Sequence, residues 1–508
     1  MNFSAVDSPW IPVRWENGVV SEVGLREALV RAQEISELAD PSPLGVPTQL
    51  RVLLAVVGRV FQPATRKDWK ALYAAKKFDA GPLDAYFAEH RPKFELFGET
   101  PFYQYAGVTT DKPAPLSRLV PERVSGNNAT LFDHSQDANE LAYSPAEALR
   151  MLLIGHGFGL GGLLKAKGAI DEVPFSHPSA TDAVIARGGT LWLTGDSLFE
   201  TLMLNLVAEG RTSEDDKPCW EQTLDAAHFG SSIPAGTLDR FTYLSRMVRL
   251  IPETDETGAV VVRRMFYTQG RSIDRGSLDP MQCYRKSKEH GHRPVLISEE
   301  KACWRDLHAL LQANQEQGIR AAALGFVGAL TQDGVIPQDR RVRLHIAGIA
   351  SDKAKVLLWR YDRVSLPVAF LEDDELVAGL ANRLAEAEEL AGNLWKRIRS
   401  LCWHFLAPVK DMMQPDQKNV SALATQLDTR RTYWARLETF LPELLQRLAV
   451  ASNDGTEATK WWGERRADAA EEAMKSAIER LGPSPRAWRA AAAVSPYFRK
   501  REESQDGV

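Results

Sequence analysis

SGNNATLFDHSQDANELAYSPAEALRMLLIGHGFGLGGLLKAKG, residues 125–168, governs how the rest of the chain is read. A polar loop with one aromatic knuckle (Asn127, Asn128, Phe132, His134) leads into an apolar helical run through Leu149, Leu152 and Leu153. Ser144 as N-cap, Pro145 at the first helical position and Glu147 in the first turn mark the start of that helix. A glycine-dense turn follows (Gly155, Gly157, Gly159, Gly161, Gly162), with Lys165 and Lys167 close behind. Glycines let a backbone approach a flat or narrow partner, and trailing lysines favour an anionic one. The combination points to phosphate or nucleic acid. A tight connector that binds nothing is the plainer alternative.

Within that turn, Gly157-Phe158-Gly159-Leu160-Gly161-Gly162 formally matches the dinucleotide fingerprint G-x-G-x-x-G. The motif works only with a strand before it, a helix after it and an acid about 20 residues on for the ribose. Here a helix start precedes it, and Pro174 and His177-Pro178 interrupt any crossover helix downstream. A nucleotide-dependent enzyme built on this turn is therefore the weaker reading.

Composition sets the bounds. A chain of 508 residues, 44% hydrophobic and 25% charged, is an ordinary globular protein of about two to four domains. Its formal net charge of −5 carries no whole-chain nucleic-acid footprint, so any DNA or RNA contact must come from local patches. The cysteines (Cys219, Cys283, Cys303, Cys402) are widely spaced with no C-x-x-C, which fits a reducing cytoplasm rather than a disulfide scaffold or structural zinc. MNFSAVDSPW has neither a basic nor an apolar region of a signal peptide, and the longest apolar run, Ala321 to Leu330, is about half a membrane span.

Along the chain, Trp10-Ile11-Pro12-Val13 and Val19–Val23 read as a hairpin across Glu16-Asn17-Gly18, followed by a helix from Gly24. Leu50–Phe61 and Pro82–His90 read as helices, and Phe94, Phe97, Phe102, Tyr103 and Tyr105 as an aromatic core cluster. Thr190–Thr194 alternates like a strand, and Leu198–Leu206 is helical. Arg240–Leu250 continues into a strand, and Ala259–Arg263 pairs with it across the turn at Glu253–Gly258. Beyond it RRMFYTQGRSIDRGSLDP interleaves Arg263, Arg264, Arg271 and Arg275 with Phe266 and Tyr267, either a nucleic-acid contact or a solvated loop. Trp304–Gln317 reads as a helix, and Arg341–Gly348 and Ala354–Trp359 as strands joined at Ser351-Asp352-Lys353. After Pro367 the texture changes to four amphipathic helices: Glu372 to Pro408, Asp428–Ala451, Thr456–Leu481 and Arg486–Phe498. Between Lys396 and Arg447 nine Lys/Arg stand against five Asp/Glu, a mildly basic stretch.

No catalytic constellation assembles itself. There is no H-E-x-x-H, G-x-S-x-G or G-x-x-x-x-G-K-[ST], and His290-Gly291-His292 has no further ligand at metal-binding spacing. The expectation is a non-enzyme with no cofactor and no metal. A purely architectural scaffold holding partners through Trp-rich surfaces is a second alternative.

Taken together, several features resemble the CasA family, the large subunit of the type I-E CRISPR surveillance complex Cascade. They are Trp10-Ile11-Pro12-Val13, Pro101-Phe102-Tyr103-Gln104, Asn128-Ala129-Thr130-Leu131-Phe132-Asp133-His134, the glycine turn 157–162 and the helical C-terminus. Their order and the total length carry the resemblance more than any single motif. It implies an α+β protein: a large mixed α/β domain of unusual topology over residues 1–366, then a four-helix bundle over 367–508. It also implies a cytoplasmic, non-catalytic subunit that works with other Cascade subunits and the crRNA 5′ handle. Such a subunit reads the protospacer-adjacent motif (PAM) from the minor groove of target double-stranded DNA, promotes duplex opening and R-loop formation, and recruits the CRISPR nuclease-helicase.

Carried over by residue, the crRNA-handle loop matches Phe132, Asp133 and His134, with Asn127 and Asn128 just before them. The PAM-reading loop matches Gly157, Phe158, Gly159, Leu160, Gly161 and Gly162, with Lys165 following. The wedge at a hairpin tip falls on Ser351, Asp352, Lys353 and Ala354, where Lys353 replaces the family's glutamine. Arg271 is the best match for the family's lysine finger, with Arg264 in reserve. The cysteine-rich insertion of some relatives is replaced by a short turn near Gly258.

Overall fold

The computed structural model describes residues 2–121, 141–208, 213–223, 230–274, 276–287, 289, 291–312, 318–407, 414–450 and 456–495. Contacts divide the chain into two compact units, Met1–Glu372 and Asp373–Val508. The first mixes helices with several small sheets, and the second is helical, so the protein is α+β.

In the first unit, the hairpin read from sequence is present: Ile11–Trp15 pairs antiparallel with Val20–Val23, and Ile35–Leu38 adds a third strand. The helix read from Leu50 begins earlier, at Gly45, because Pro47 falls in its first turn, where a missing N–H costs nothing. A helix over Arg66–Ala74, not anticipated, starts with a capping box between Thr65 and Asp68. The aromatic cluster is core at Phe94, Phe102, Tyr103 and Tyr105 and half-buried at Phe97. Phe94, Phe102 and Tyr103 are buried and surround Trp220, with ring centroids 5.4, 5.5 and 5.9 Å away.

Three sheets shape the region around the glycine-rich segment. Thr190–Thr194 pairs with Arg341–Asp352, which pairs along its length with Lys355–Pro367, an edge strand. Gly162–Ile170 pairs with Val173–Ala180 on one side and Val108–Thr110 on the other. Arg246–Thr254 pairs with Val260–Gln269. The basic-aromatic stretch that begins at Arg263 is thus strand as far as Gln269 rather than loop, because Val261, Met265 and Thr268 are buried along it. Tyr105, Val108, Ile170 and Met247 form the core between the last two sheets. The helix read over Trp304–Gln317 is shorter, a 3-10 turn at Cys303–Asp306 and a helix at Leu307–Leu311, with residues 313–317 outside the described range.

One buried ion pair ties distant segments of this unit together. Arg51 Nη1 reaches both carboxylate oxygens of Asp279 at 3.0 Å, and its Nη2 donates to the Arg240 carbonyl at 2.7 Å. Both side chains are 2% exposed or less.

The second unit is built on Asp374–Leu406, a helix whose N-cap Asp373 accepts from the amides of Glu375 and Leu376. Its buried stripe runs Val377, Leu380, Leu384, Ala387, Ala391, Leu394, Ile398 and Leu401. Arg430–Val450, Thr456–Arg480 and Pro485–Val494 pack with it, and a short helix, Gln417–Gln426, is additional to the sequence reading. Arg430–Val450 runs through Pro442. Small residues (Ala467, Ala470, Ala473, Ala477) allow close approach, and Thr429 and Tyr433 donate to the carbonyls of Ala473 and Ala387.

Arg51→Ala leaves Asp279 buried without its counter-charge and is expected to destabilise the first unit by about 3–5 kcal/mol. Urea unfolding followed by tryptophan fluorescence checks this.

Candidate nucleic-acid interface

The glycine-rich segment comes off a well-capped helix. Ser144 Oγ accepts from the Glu147 amide at 3.2 Å, and the Glu147 carboxylate accepts from the Ser144 amide at 2.9 Å. The helix runs Pro145–Phe158 and ends where the Gly159 amide donates to the Gly155 carbonyl at 3.2 Å. Gly155 and Gly157 are therefore helical packing positions rather than turn. A Cβ on Gly157 would lie 2.9 Å from Thr48 Cγ2. Phe158 is fully buried. Placing Gly157 and Phe158 against a groove is thus corrected: both face the core. A helix precedes the glycines and the strand Gly162–Ile170 follows them, the reverse of the order a dinucleotide turn requires.

The exposed part of the motif is the connection Gly159–Gly162, each residue half-buried. Its backbone is held from both sides. Arg246, itself 1% exposed, donates through Nη2 to the carbonyls of Gly159 (2.8 Å) and Leu160 (3.2 Å), and through Nε to Tyr267 Oη at 2.9 Å. On the other side, the Gly161 amide donates to Asp182 Oδ1 at 2.7 Å. Asp182 pairs with Arg187 Nε at 2.9 Å, and Arg187 donates to Ser351 Oγ and, at 2.8 Å, to the Lys353 carbonyl.

These bonds join the glycine connection to the long hairpin. Asp352 and Lys355 face each other across a turn of Lys353 and Ala354, and Lys353 lies at φ +53°. A Cβ on Gly162 would come within 2.9 Å of Ala354 Cβ, so only glycine permits this approach. The structure brings Gly159–Gly162 and Ser351–Ala354 together, although nearly two hundred residues separate them in sequence. Asp352, Lys353 and Ala354 are exposed.

Other residues singled out from sequence fall elsewhere. Lys165, at φ +53° in a bulge, is exposed and lines a cleft of about 400 Å³ with Lys112, Arg118, Lys167 and Tyr267. Arg271, the best match for the lysine finger, does not stand on the surface. It is 8% exposed, bonded by both terminal nitrogens to Asp239 (2.6 and 3.1 Å), and lies 4.1 Å over the Tyr243 ring. Burial there requires a partner for the charge, and Asp239 supplies it. Arg264 is near Glu253 at 3.6 Å. Asn127, Asn128, Phe132, Asp133 and His134 lie outside the described residues. Asp182, Arg187 and Arg246 escaped the sequence reading, because no motif or periodicity links them to the glycines or the hairpin.

A buried histidine backs this connection. His156 Nε2 lies 2.9 Å from the Tyr103 carbonyl, which makes it the donor, and Nδ1 accepts from the Arg246 amide at 3.4 Å. Burial pushes its pKa down to about 4. All four cysteines are free and buried, and burial raises their thiols. Among the described residues no group of three or more His, Cys, Asp or Glu could hold a metal ion, and no helix is long and apolar enough to cross a membrane.

Comparison with known proteins fixes the family. The model of the CRISPR-associated protein Cse1 family matches residues 5–476. The CRISPR-associated protein CasA/Cse1 of Thermus thermophilus is 34% identical over 513 residues, covering 98% of this chain and 96% of that one. The chain belongs to the Cse1 (CasA) family of type I-E Cascade. Its fold matches the crystal structure of Thermus thermophilus CasA with a TM-score of 0.79 at 31% identity, covering 97% of this chain and 98% of that one. It matches Cse1 from Acidimicrobium ferrooxidans with a TM-score of 0.80 at 26% identity, covering 97% and 96%. In this Cse1-family chain the match spans both units, so the glycine connection and the hairpin tip lie in a shared framework.

Neutral His156 holds a folded-state pKa below the ordinary 6.5, so its contribution to stability is complete above about pH 6.5 and declines as pH falls toward 4. Denaturant midpoints across that window should fall, and less steeply in His156→Gln. At the hairpin tip, Lys353→Gly removes a side chain from a left-handed backbone position and should leave thermal stability unchanged or raise it by about 1 kcal/mol, read by calorimetry.

Proposed function

We propose that this Cse1-family chain is the non-catalytic large subunit of a cytoplasmic crRNA-guided surveillance complex, where it reads the PAM of target double-stranded DNA. Gly159–Gly162 enters the minor groove, and the tip Ser351–Ala354 acts as the adjacent wedge that starts duplex opening and R-loop formation. The chain then recruits the nuclease-helicase. The observation that carries this reading is the clasp of Asp182 and Arg187, which holds a backbone of little bulk beside an exposed hairpin tip that carries Lys353 next to Asp352.

The physical fit is direct. A minor groove about 6 Å wide admits backbone more readily than large side chains, and it distinguishes mainly A·T from G·C. Base pairing with crRNA reads the long sequence, so the protein needs only a short duplex motif. Lys353 supplies phosphate attraction where the family resemblance implies a glutamine. Lys165 adds charge from the neighbouring strand. With a net charge of −5, the chain alone binds DNA weakly, and specificity emerges in the assembly with the other Cascade subunits and the crRNA 5′ handle.

The test is binding by the reconstituted complex, with and without this chain, to duplexes that differ only in the PAM. Removing the chain should abolish PAM dependence at fixed salt. Arg187→Ala should reduce the ratio between PAM and non-PAM duplexes. Lys353→Ala should weaken both and lower the salt slope by about 1. PAM dependence that persists without the chain would place the reading in another subunit.

A further inference from the structure

The strand that leads away from the hairpin tip has an exposed face that PAM reading does not use. Along Lys355–Pro367, alternate residues face solvent: Lys355, Leu357, Trp359, Tyr361 and Arg363 are all exposed. Leu357, Trp359 and Tyr361 are 41%, 45% and 37% exposed. Single exposed apolar residues are commonplace. A same-face row that reads cation, apolar, aromatic, aromatic, cation is different in kind, because its two ends both favour an anion.

The row is built rather than loose. Tyr361 Oη meets His345 Nδ1 at 2.6 Å, and the Tyr361 ring lies 5.9 Å from the buried Trp192. Trp192 in turn stacks on His345 at 5.2 Å. Trp359 has no ring neighbour among the described residues, and Lys355 and Arg363 have no ion pair among them. The opposite face of the strand is covered, since Arg360 donates to the Glu299 carbonyl and Asp362 accepts from the Cys303 amide.

We propose that this face is a stacking platform for single-stranded nucleic acid, and that its occupant is the DNA strand displaced when the target duplex opens. The assignment rests on the wedge reading of the hairpin tip. Alternate residues of an extended strand repeat at about 6.8 Å, about twice the 3.4 Å rise per nucleotide of a duplex strand. A single strand drawn out to that spacing presents one base per exposed side chain. Stacking on aromatics with flanking cations is sequence-tolerant, as a displaced strand of arbitrary sequence requires. The row begins at the tip, so a strand peeled away there meets Leu357 and Trp359 first.

The experiment uses the reconstituted complex with Trp359→Ala and Trp359→Phe. Two targets share the same PAM duplex: one has a full non-target strand, and the other has that strand cut off at the PAM edge. On the full target, Trp359→Ala should shorten the lifetime of the open complex about tenfold, and Trp359→Phe should restore most of it. On the cut target neither variant should differ from wild type, and initial PAM-dependent capture should be equal throughout. A fluorescent oligothymidylate added to the complex should bind more weakly with Trp359→Ala, a result that does not depend on PAM reading. An unchanged lifetime on the full target overturns the platform. An equal loss on both targets overturns the displaced-strand assignment and gives the face to a protein subunit or the guide duplex. Loss of PAM dependence in wild type overturns the PAM reading alone, because the oligothymidylate arm still reports on the platform.

Discussion

The glycine connection and the hairpin tip depend on two arginines that hold backbone rather than ligand. Arg246 is buried and grips the Gly159 and Leu160 carbonyls just past the helix Pro145–Phe158, the first of which also accepts from the Ala183 amide. Arg187 reaches from the Asp182 carboxylate to the hairpin tip. Between them the glycine connection has little freedom, although glycine is the residue that loses most conformational entropy on ordering. Tertiary hydrogen bonds provide the rigidity that the local sequence lacks.

Under the proposed function, this arrangement lets a chain of net negative charge present a surface to nucleic acid. Its cations fall into two roles. Arg51 and Arg271 are buried against carboxylates, where removing a partner is costly, and Arg246 is buried against backbone carbonyls. Lys165, Lys353, Lys355 and Arg363 stand in solvent, where phosphate can reach them. Residue type does not separate these roles; burial does. The glycines divide in the same way. Gly155 and Gly157 let a helix pack against its neighbours, while Gly161 and Gly162 allow the connection to lie against residues 180–182 and the hairpin.

The hairpin links the proposed functions. Its tip touches the glycine connection, its first strand is anchored to Thr190–Thr194, and its second strand is an edge whose outer residues face solvent. A rigid sheet thus carries a projecting turn and an aromatic row on one element. Duplex reading, opening and strand capture can then be arranged along a single direction.

Much of this was legible in the chain. Alternation marked Thr190–Thr194, and Arg341–Gly348 and Ala354–Trp359 read as a strand pair. Ser144-Pro145-Ala146-Glu147 marked a helix start, and the 3.6-residue stripe after Pro367 marked the helical C-terminus. These signals are local, because the period of a strand or helix is imposed by its own backbone. Order of motifs and length also carried the family. Tertiary structure alone decided that Gly157 and Phe158 turn inward, that Arg271 belongs to Asp239, and that Asp182 and Arg187 join the glycines to the hairpin. A sequence records which residues can pair or pack, but partners distant along the chain are selected by chain folding, which brings them together and removes their alternatives from water.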